Sequence, residues 1–249
     1  MCVIYVAEEH DHILDLWRAQ QTCSLRVLHL DFHCDMRGLL IDRKTQRAYR
    51  ILALNQGVGQ GNFLTHAILE GRVSGIRWVH GEPGGRQYDV GTVKYESDLT
   101  ALPHRWFLAL RGERGVPIHY EVMPYTDWTG LVEGEHLDID WDFFACTEYP
   151  ADTIQDRVEA FLGREFRTVP NQVYVCYSPD FSHPSRAQFQ RLVSDLARLF
   201  EAEVVELQPD TGTPTTRPYY KKYVPPALFR LARHIYYSIN LGLKKRGIY

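Results

Sequence analysis

Two short segments of the chain hold carboxylates and imidazoles at unusual density. The first runs from His29 to Asp35 with the sequence HLDFHCD, and the second runs from Leu137 to Asp142 with the sequence LDIDWD. Each follows or completes an apolar run that is typical of a buried strand. Like charges buried this close together lose hydration and repel one another, and a divalent cation offsets both costs most simply. The two segments therefore predict a metal centre.

Strand geometry would bring these side chains to common faces, because alternate residues of an extended strand point the same way. The expected sets are His29, Asp31, His33 and Asp35 in the first segment, and Asp138, Asp140 and Asp142 in the second. Parallel sheets place their ligands beyond the carboxyl ends of the strands, where both segments fall. His29 and Asp142 are equally compatible with binding an ion and with supporting a residue that binds one.

The ligand types indicate which ion would be bound. Oxygen-rich ligands with some imidazole suit Mn²⁺ and also accept Fe²⁺, Co²⁺ or Zn²⁺, whereas the absence of paired thiolates argues against a structural zinc. The alternative is a polar, half-exposed strand face that needs no ion. Apolar neighbours, including the run before His29 and the residues Ile139, Trp141 and Phe143, indicate burial and favour the metal.

The elements that must position these residues alternate along the chain. Short β-branched or aromatic runs predict strands at 3–7, 25–31, 76–80, 119–124, 136–140, 172–177 and 203–207. Helical periodicity predicts helices at 12–21, 62–70, 152–162, 185–201 and 226–241. This alternation is typical of βαβ units, so we expect an α/β fold with a mostly parallel sheet.

Length and composition exclude several classes of protein. A chain of 249 residues suits one large α/β domain, and its net charge of −3 gives no electrostatic reason to bind nucleic acid. The five cysteines form no C-x-x-C pair, which favours free thiols in a reducing compartment. No apolar stretch approaches the roughly 18 residues of a membrane span, and the first residues lack the features of a signal peptide. We expect a cytoplasmic protein.

The end of the chain has a separate character. After Asp210 no acidic side chain follows, while eight lysines and arginines do. We expect a basic helical tail over about 218–249 that packs on the body and leaves its basic face in solvent. Peptide docking, self-association and membrane-surface binding are the alternatives for this segment, and the sequence leaves the oligomeric state open.

The acidic segments resemble those of the arginase (ureohydrolase) superfamily. The D-x-H-x-D at 31–35 and the D-x-D at 138–140 match two signatures of that group, and the E-H at 9–10 is similar to its early D-H. The chain is most similar to a small arginase-related family that combines these with L-D-I-D-x-D-F-F, here at 137–144, and S-P-D, here at 178–180. The resemblance implies a single domain over 1–249 with a three-layer α/β/α, arginase–deacetylase-like fold.

The resemblance also implies a site with two Mn²⁺ ions, for which other divalent metals could substitute. One ion would be bound by His10, Asp31, Asp35 and Asp138. The other would be bound by Asp31, His33, Asp138 and Asp140. Asp31 and Asp138 would then bridge the two ions. His12 is the alternative to His10, because it lies only two residues further along the chain.

The implied chemistry is hydrolysis of a guanidinium group. Two ions lower the pKa of a water molecule enough to supply hydroxide, whose attack on the guanidinium carbon would release urea and leave an amine. Asp140 would transfer the proton. Asp180 would hold the guanidinium through paired hydrogen bonds, unless it is simply a turn residue after proline. His66 and His183 are candidates for a proton shuttle, although His66 is equally suited to a packed position in a helix.

The substrate implied by the resemblance is a peptide. Characterised members of the small family convert arginine side chains of ribosomally made peptides to ornithine. Arginases that act on the free amino acid have a Ser/Asn/Thr-rich loop after D-x-H-x-D, and the residues after Asp35 here, MRGLLI, lack it. We therefore expect an arginine-containing peptide, including a precursor with a leader, as the partner. A metal-dependent deacetylase or amidohydrolase, and a non-catalytic metal-binding peptide-interaction module, are the alternatives.

Overall fold

The computed structural model describes residues 2–36, 39–42, 45–50, 58–81 and 115–208. Seven strands form one sheet in which every neighbouring pair is parallel. They are β1 (Val3–Ala7), β2 (Leu25–Leu30), β5 (Val73–His80), β7 (His119–Pro124), β8 (Glu135–Asp140), β9 (Gln172–Cys176) and β10 (Glu203–Glu206). The predicted α/β class with a mostly parallel sheet is confirmed.

A second, smaller sheet lies in the segment after Asp35. It contains β3 (Leu39–Asp42), β4 (Arg47–Arg50) and β6 (Val116–Pro117) in the order β3-β4-β6, and its pairs are antiparallel. Sequence analysis did not predict these strands. They have two to four residues each, so none offers the longer apolar or alternating run by which a strand is recognised.

The described helices are α1 (Asp11–Ala19), α2 (Phe63–Leu69), α3 (Asp142–Ala145), α4 (Ile154–Leu162) and α5 (Arg186–Leu199). Only the four-residue α3 was not predicted. Among these residues, none of the helices combines the length and the apolar character that crossing a membrane requires. The predicted helix at 226–241 and the basic tail lie outside the described residues.

The core divides between the two faces of the main sheet. On one face α4 and α5 bury Phe161 and Phe189 together with Phe144. On the other face α1 and α2 bury Trp17 and Phe63. Apolar side chains on both faces of a parallel sheet require a helical layer on each side. The described residues therefore form the three layers α/β/α.

The strand order places a crevice at the carboxyl edge of the sheet. The order is β10-β1-β9-β8-β2-β5-β7. From β2 the chain proceeds through β5 to β7 at one edge, then returns to β8 on the opposite side of β2. The connections after β2 and β8 therefore lead away in opposite directions, which is the topological position where parallel sheets bind ligands.

Candidate metal centre

The two acidic segments meet at this crevice. Strands β2 and β8 are neighbours in register, with His29 beside Asp138, so the residues that follow both strands are brought side by side. His10 comes from the turn between β1 and α1, and its ring stacks on Phe63 at 4.7 Å between centroids. The acidic and imidazole side chains gathered here are all buried: His10, His29, Asp31, His33, Asp35, Asp138, Asp140 and Asp142.

One donor group combines four of the predicted ligands. His10, Asp31, Asp35 and Asp140 each place one ligand atom within 4.8 Å of the others. The Nδ1 atom of His10 lies 3.0 Å from Asp35 Oδ2, 3.2 Å from Asp140 Oδ2 and 3.9 Å from Asp31 Oδ2. This group contains His10 and not His12, and its one nitrogen and several oxygens are a suitable set for a divalent cation.

A second donor group lies on the other side of Asp31. Here Asp31, His33 and Asp142 have ligand atoms within 4.8 Å of one another. His33 Nδ1 is 2.7 Å from Asp142 Oδ2 and 3.9 Å from Asp31 Oδ1. Because Asp31 belongs to both groups, its two oxygens could each serve one ion. The geometry thus has the form of two adjacent cation positions that share a carboxylate.

The later D-x-D pair is where geometry and the family resemblance differ. Asp138 belongs to none of the donor groups found in the described parts of the chain. Its Oδ2 lies 2.8 Å from Nδ1 of His29, and its Oδ1 lies 3.5 Å from Nε2 of His10. Although burial acts in the opposite direction, the neighbouring His10 and His29 lower the pKa of Asp138 to about 2. The donor groups thus contain Asp140 and Asp142, whereas Asp138 contacts His10 and His29.

Sequence spacing could not distinguish these two assignments. In D-I-D-W-D, a shift of two residues converts one D-x-D pair into the next without changing the face of the strand. Strand β8 ends at Asp140, and the chain turns directly into α3 at Asp142. That turn brings Asp142 back towards His33.

The electrostatics of the centre fit a bound cation. In the described part of the chain, the ion pairs of these five aspartates are all with histidines, and neither lysine nor arginine compensates them. Within this cluster, four buried side-chain atoms make no hydrogen bond to the described residues: His10 Nε2, His29 Nε2, Asp31 Oδ2 and Asp138 Oδ1. Burial, followed by repulsion from Asp142, raises the pKa of Asp31 well above its ordinary value and that of Asp140 to about 6. Divalent cations would remove these penalties.

Hydrogen bonds hold Asp140 and the backbone of Asp31 in place. Ser178 Oγ donates to Asp140 Oδ2 at 2.8 Å, and the indole of Trp78 donates to the carbonyl oxygen of Asp31 at 3.0 Å. Asp35 and Ser178 have φ angles of 50° and 44°, a left-handed conformation that costs energy for residues other than glycine. Sequence analysis did not assign roles to Ser178 and Trp78, although the S-P-D motif contains the former.

The remaining predicted site residues occupy different places. Asp180 is half-buried in the turn after Ser178, and the next residue, Phe181, packs its ring 5.3 Å from that of His33. His183 is half-buried, and its Nε2 lies 2.7 Å from the carbonyl oxygen of Tyr149. The residue after Asp180 therefore contacts His33, while His183 is bound to backbone beside α3.

His66 belongs to none of the donor groups found among the described residues. It lies on α2, where burial lowers its pKa and the charges that act on it are those of Glu70, Arg18 and Arg50. None of these residues belongs to the donor groups. The structure does not bring His66 to the centre, and its proton-shuttle role stays a prediction without geometric support.

Metal-free protein should become less stable as the pH rises from about 5 to 8. The pKa of Asp140 is near 3.8 in the unfolded chain and about 6 in the folded protein. Between these two pH values the folded state keeps a proton that the unfolded chain has lost, so the free energy of unfolding falls as the pH rises. Burial lowers the pKa of His10, but the surrounding acidic groups outweigh burial and raise this pKa well above 6.5. The stability that protonated His10 contributes is therefore lost as the pH rises through the raised pKa. The lowered pKa values of Asp138 and Asp142 act only at more acidic pH.

The measurement is thermal unfolding of chelator-treated protein across this range, with and without added metal. We expect the midpoint without metal to fall by about 5 °C or more. Metal should raise the midpoint more at pH 7.5 than at pH 5, because ion binding displaces protons. An increase in the stability of the metal-free form with rising pH would contradict the assigned repulsion.

Comparisons with known proteins do not assign a function to this chain. The sequence matches no family model and no curated protein. Proclavaminate amidino hydrolase from Streptomyces clavuligerus is similar in structure, with 14% identity, a TM-score of 0.37, and coverage of 80% of this chain and 63% of that one. A triple mutant of T. brucei arginase-like protein bound with Mn²⁺ has 12% identity, a TM-score of 0.37, and coverage of 80% and 61%. This chain spans less than two thirds of either length, and likeness this weak assigns no function.

Proposed function

We propose that the protein is a divalent-metal hydrolase that cleaves the guanidinium group of an arginine side chain in a peptide and releases urea. The observation that carries this proposal is the pair of buried donor groups that share Asp31. His10, Asp35 and Asp140 would complete one metal position with it, and His33 and Asp142 would complete the other. The preponderance of oxygen donors suits Mn²⁺, with other divalent ions able to substitute.

The chain supplies the acid–base chemistry. When bound, adjacent ions lower the pKa of water and stabilise developing negative charge. Asp140 is held by the hydroxyl of Ser178 and the backbone N–H of Asp142. A carboxylate fixed in this way beside the metal positions can take a proton from the attacking water, so we assign to Asp140 the delivery of that proton to the departing nitrogen.

Asp180 would select a guanidinium over a neutral amide. A carboxylate accepts two parallel hydrogen bonds from a guanidinium, which gives both affinity and orientation. Asp180 follows the same strand as Ser178 and precedes Phe181, whose ring packs near His33. We therefore assign to the Asp180 carboxylate the binding of a cationic side chain that enters the crevice.

We assign the peptide chain to a cavity where β5 and β7 end against α4. It measures about 210 Å³ and is lined by residues that include Gly81, Tyr125, Phe143, Asp156 and Arg157. Phe143 directly follows the proposed ligand Asp142 in the sequence. In this proposal the cavity receives a residue that flanks the reacting arginine, which a free amino acid lacks.

The decisive experiment is mass spectrometry of arginine-containing peptides and of free arginine incubated with the protein and Mn²⁺. Hydrolysis would lower the mass by about 42 Da for each arginine, the difference between arginine and ornithine. The expected outcome is this loss on peptides, with urea in equal amount and little reaction on free arginine. Bound metal without turnover on any guanidine would overturn the proposal.

Replacing Asp180 with asparagine should raise KM for an arginyl peptide by about 10- to 100-fold, because a charge-assisted pair to a guanidinium contributes about 1.5–3 kcal/mol. The value of kcat should change much less, since Asp180 belongs to neither donor group. Steady-state kinetics on one peptide measures both quantities. Asp152→Asn is the control, because Asp152 is exposed before α4. An unchanged KM in Asp180→Asn would remove Asp180 from substrate binding.

A single-metal amidohydrolase is the second candidate. The first donor group offers four side chains and the second only three, so an ion could occupy the first position alone. Metal analysis separates the two functions. Two ions per chain at saturation favour the guanidine hydrolase, whereas one ion together with hydrolysis of an acyl-lysine peptide favours the alternative.

A further inference from the structure

We propose that Cys176 is a thiolate ligand of the ion bound by His10 and Asp140, which makes this metal position selective for zinc-like ions over Mn²⁺. The inference rests on the metal centre proposed above and concerns which ion that centre prefers. It adds a sulfur donor to a site whose other predicted ligands are oxygen and imidazole nitrogen.

The sheet brings Cys176 to the centre from a third direction. Cys176 is the last residue of β9, which lies between β1 and β8, and it pairs in register with Ala7 on one side and Asp140 on the other. It is fully buried. Its sulfur, a ring nitrogen of His10 and a carboxylate oxygen of Asp140 all lie within 4.8 Å of one another. Three donors at this spacing can surround one ion.

The thiol of Cys176 lies among polar groups. Apolar packing is the usual environment of a buried structural cysteine. Here the sulfur lies 3.3 Å from the hydroxyl of Ser178 and 3.6 Å from the carbonyl oxygen of Glu8. The second observation is His10, which is fully buried, places its Nδ1 3.2 Å from Asp140 Oδ2 and has no hydrogen bond at its Nε2. A buried imidazole with one unpaired nitrogen, grouped with a thiol and a carboxylate, is an arrangement that a cation would complete.

The softness of the sulfur ligand then determines which ion this position prefers. Carboxylate oxygens suit Mn²⁺, whereas thiolate suits Zn²⁺ and Co²⁺ and adds little affinity for Mn²⁺. His10, Asp140 and Cys176 would supply three ligands, and Asp31, which the two positions share, would supply the fourth. Binding releases the thiol proton to solvent, so the step is a simple exchange of one proton on sulfur for the metal–sulfur bond.

Cobalt spectroscopy tests the sulfur ligand directly. Co²⁺ added to the metal-free wild-type protein should produce an intense near-ultraviolet band from thiolate-to-cobalt charge transfer. Cys176→Ser should lose this band and keep the weaker visible bands of cobalt bound to the remaining donors. Cys146→Ser removes another buried thiol that belongs to none of the donor groups found, and it should retain the band. The absence of the band from wild-type protein, or its persistence in Cys176→Ser, would overturn the proposal.

Competition between ions supplies the second measurement. Loss of Cys176 should weaken Zn²⁺ binding by about 10- to 100-fold, with a much smaller change for Mn²⁺. Equal weakening for both ions would contradict a soft-ligand role. Should Cys176→Ser not fold, Cys176→Ala and the wild-type cobalt spectrum still decide the question. Hydrolysis without the band defeats only this inference, whereas the band without hydrolysis of any guanidine defeats only the proposed function.

Discussion

Replacing Asp31 with asparagine should empty both metal positions and lower kcat by about a thousandfold or more. Asp31 is the one residue common to both donor groups that are centred on the D-x-H-x-D segment. Asparagine preserves the shape of the side chain and removes the charge that attracts the ions. Metal catalysis contributes several kcal/mol of transition-state stabilisation, and each 1.4 kcal/mol corresponds to a tenfold change in rate.

The measurement pairs elemental analysis of the purified variant with turnover of the arginyl peptide. Fold integrity is checked separately by thermal unfolding without metal. Burial and neighbouring carboxylates disfavour the ionised form of Asp31, so the metal-free variant should be at least as stable as wild-type metal-free protein at neutral pH. Asp152→Asn, at an exposed position, should retain both metal and turnover. Two ions per chain in Asp31→Asn would exclude Asp31 as the shared ligand.

Asp142→Asn and Asp138→Asn should have different effects on metal content, although the two aspartates are equally placed in the D-x-D-x-D sequence. Asp142 lies beside His33 in the second donor group, so its loss should remove one ion of two and most of the activity. Asp138 contacts His29 and His10. Its loss should leave both ions able to bind, with affinity reduced by about 10- to 100-fold, as is typical of residues that orient a ligand.

Metal titration of the two variants at increasing concentrations separates stoichiometry from affinity. Saturation at one ion for Asp142→Asn and at two ions for Asp138→Asn is the expected pattern. The reverse pattern would restore the assignment implied by family resemblance, in which Asp138 bridges the ions. Equal behaviour of both variants would mean that neither assignment describes the centre.

The sequence by itself determined the fold class and the two segments whose acidic side chains meet in the buried cluster. Short β-branched or aromatic runs predicted all seven strands of the main sheet. The predicted ends lie within one residue of the observed ends, except that β5 begins earlier than predicted, at Val73. These signals are local. Each strand or helix buries one of its faces, so its apolar residues recur with the period of that element. The same local pattern placed His10, Asp31, His33, Asp35 and Asp140 at strand ends.

Only the tertiary structure decided which side chains share a donor group. The period of a strand is two residues, so spacing cannot choose between Asp138 and Asp142. The choice depends on where β8 stops and how the chain turns into α3. Cys176 and Ser178 reach the centre because β9 pairs with β8, and strand pairing joins residues that no local periodicity relates. The surroundings of His66, which include the charges of Glu70 and Arg18, were likewise decided by packing between α1 and α2.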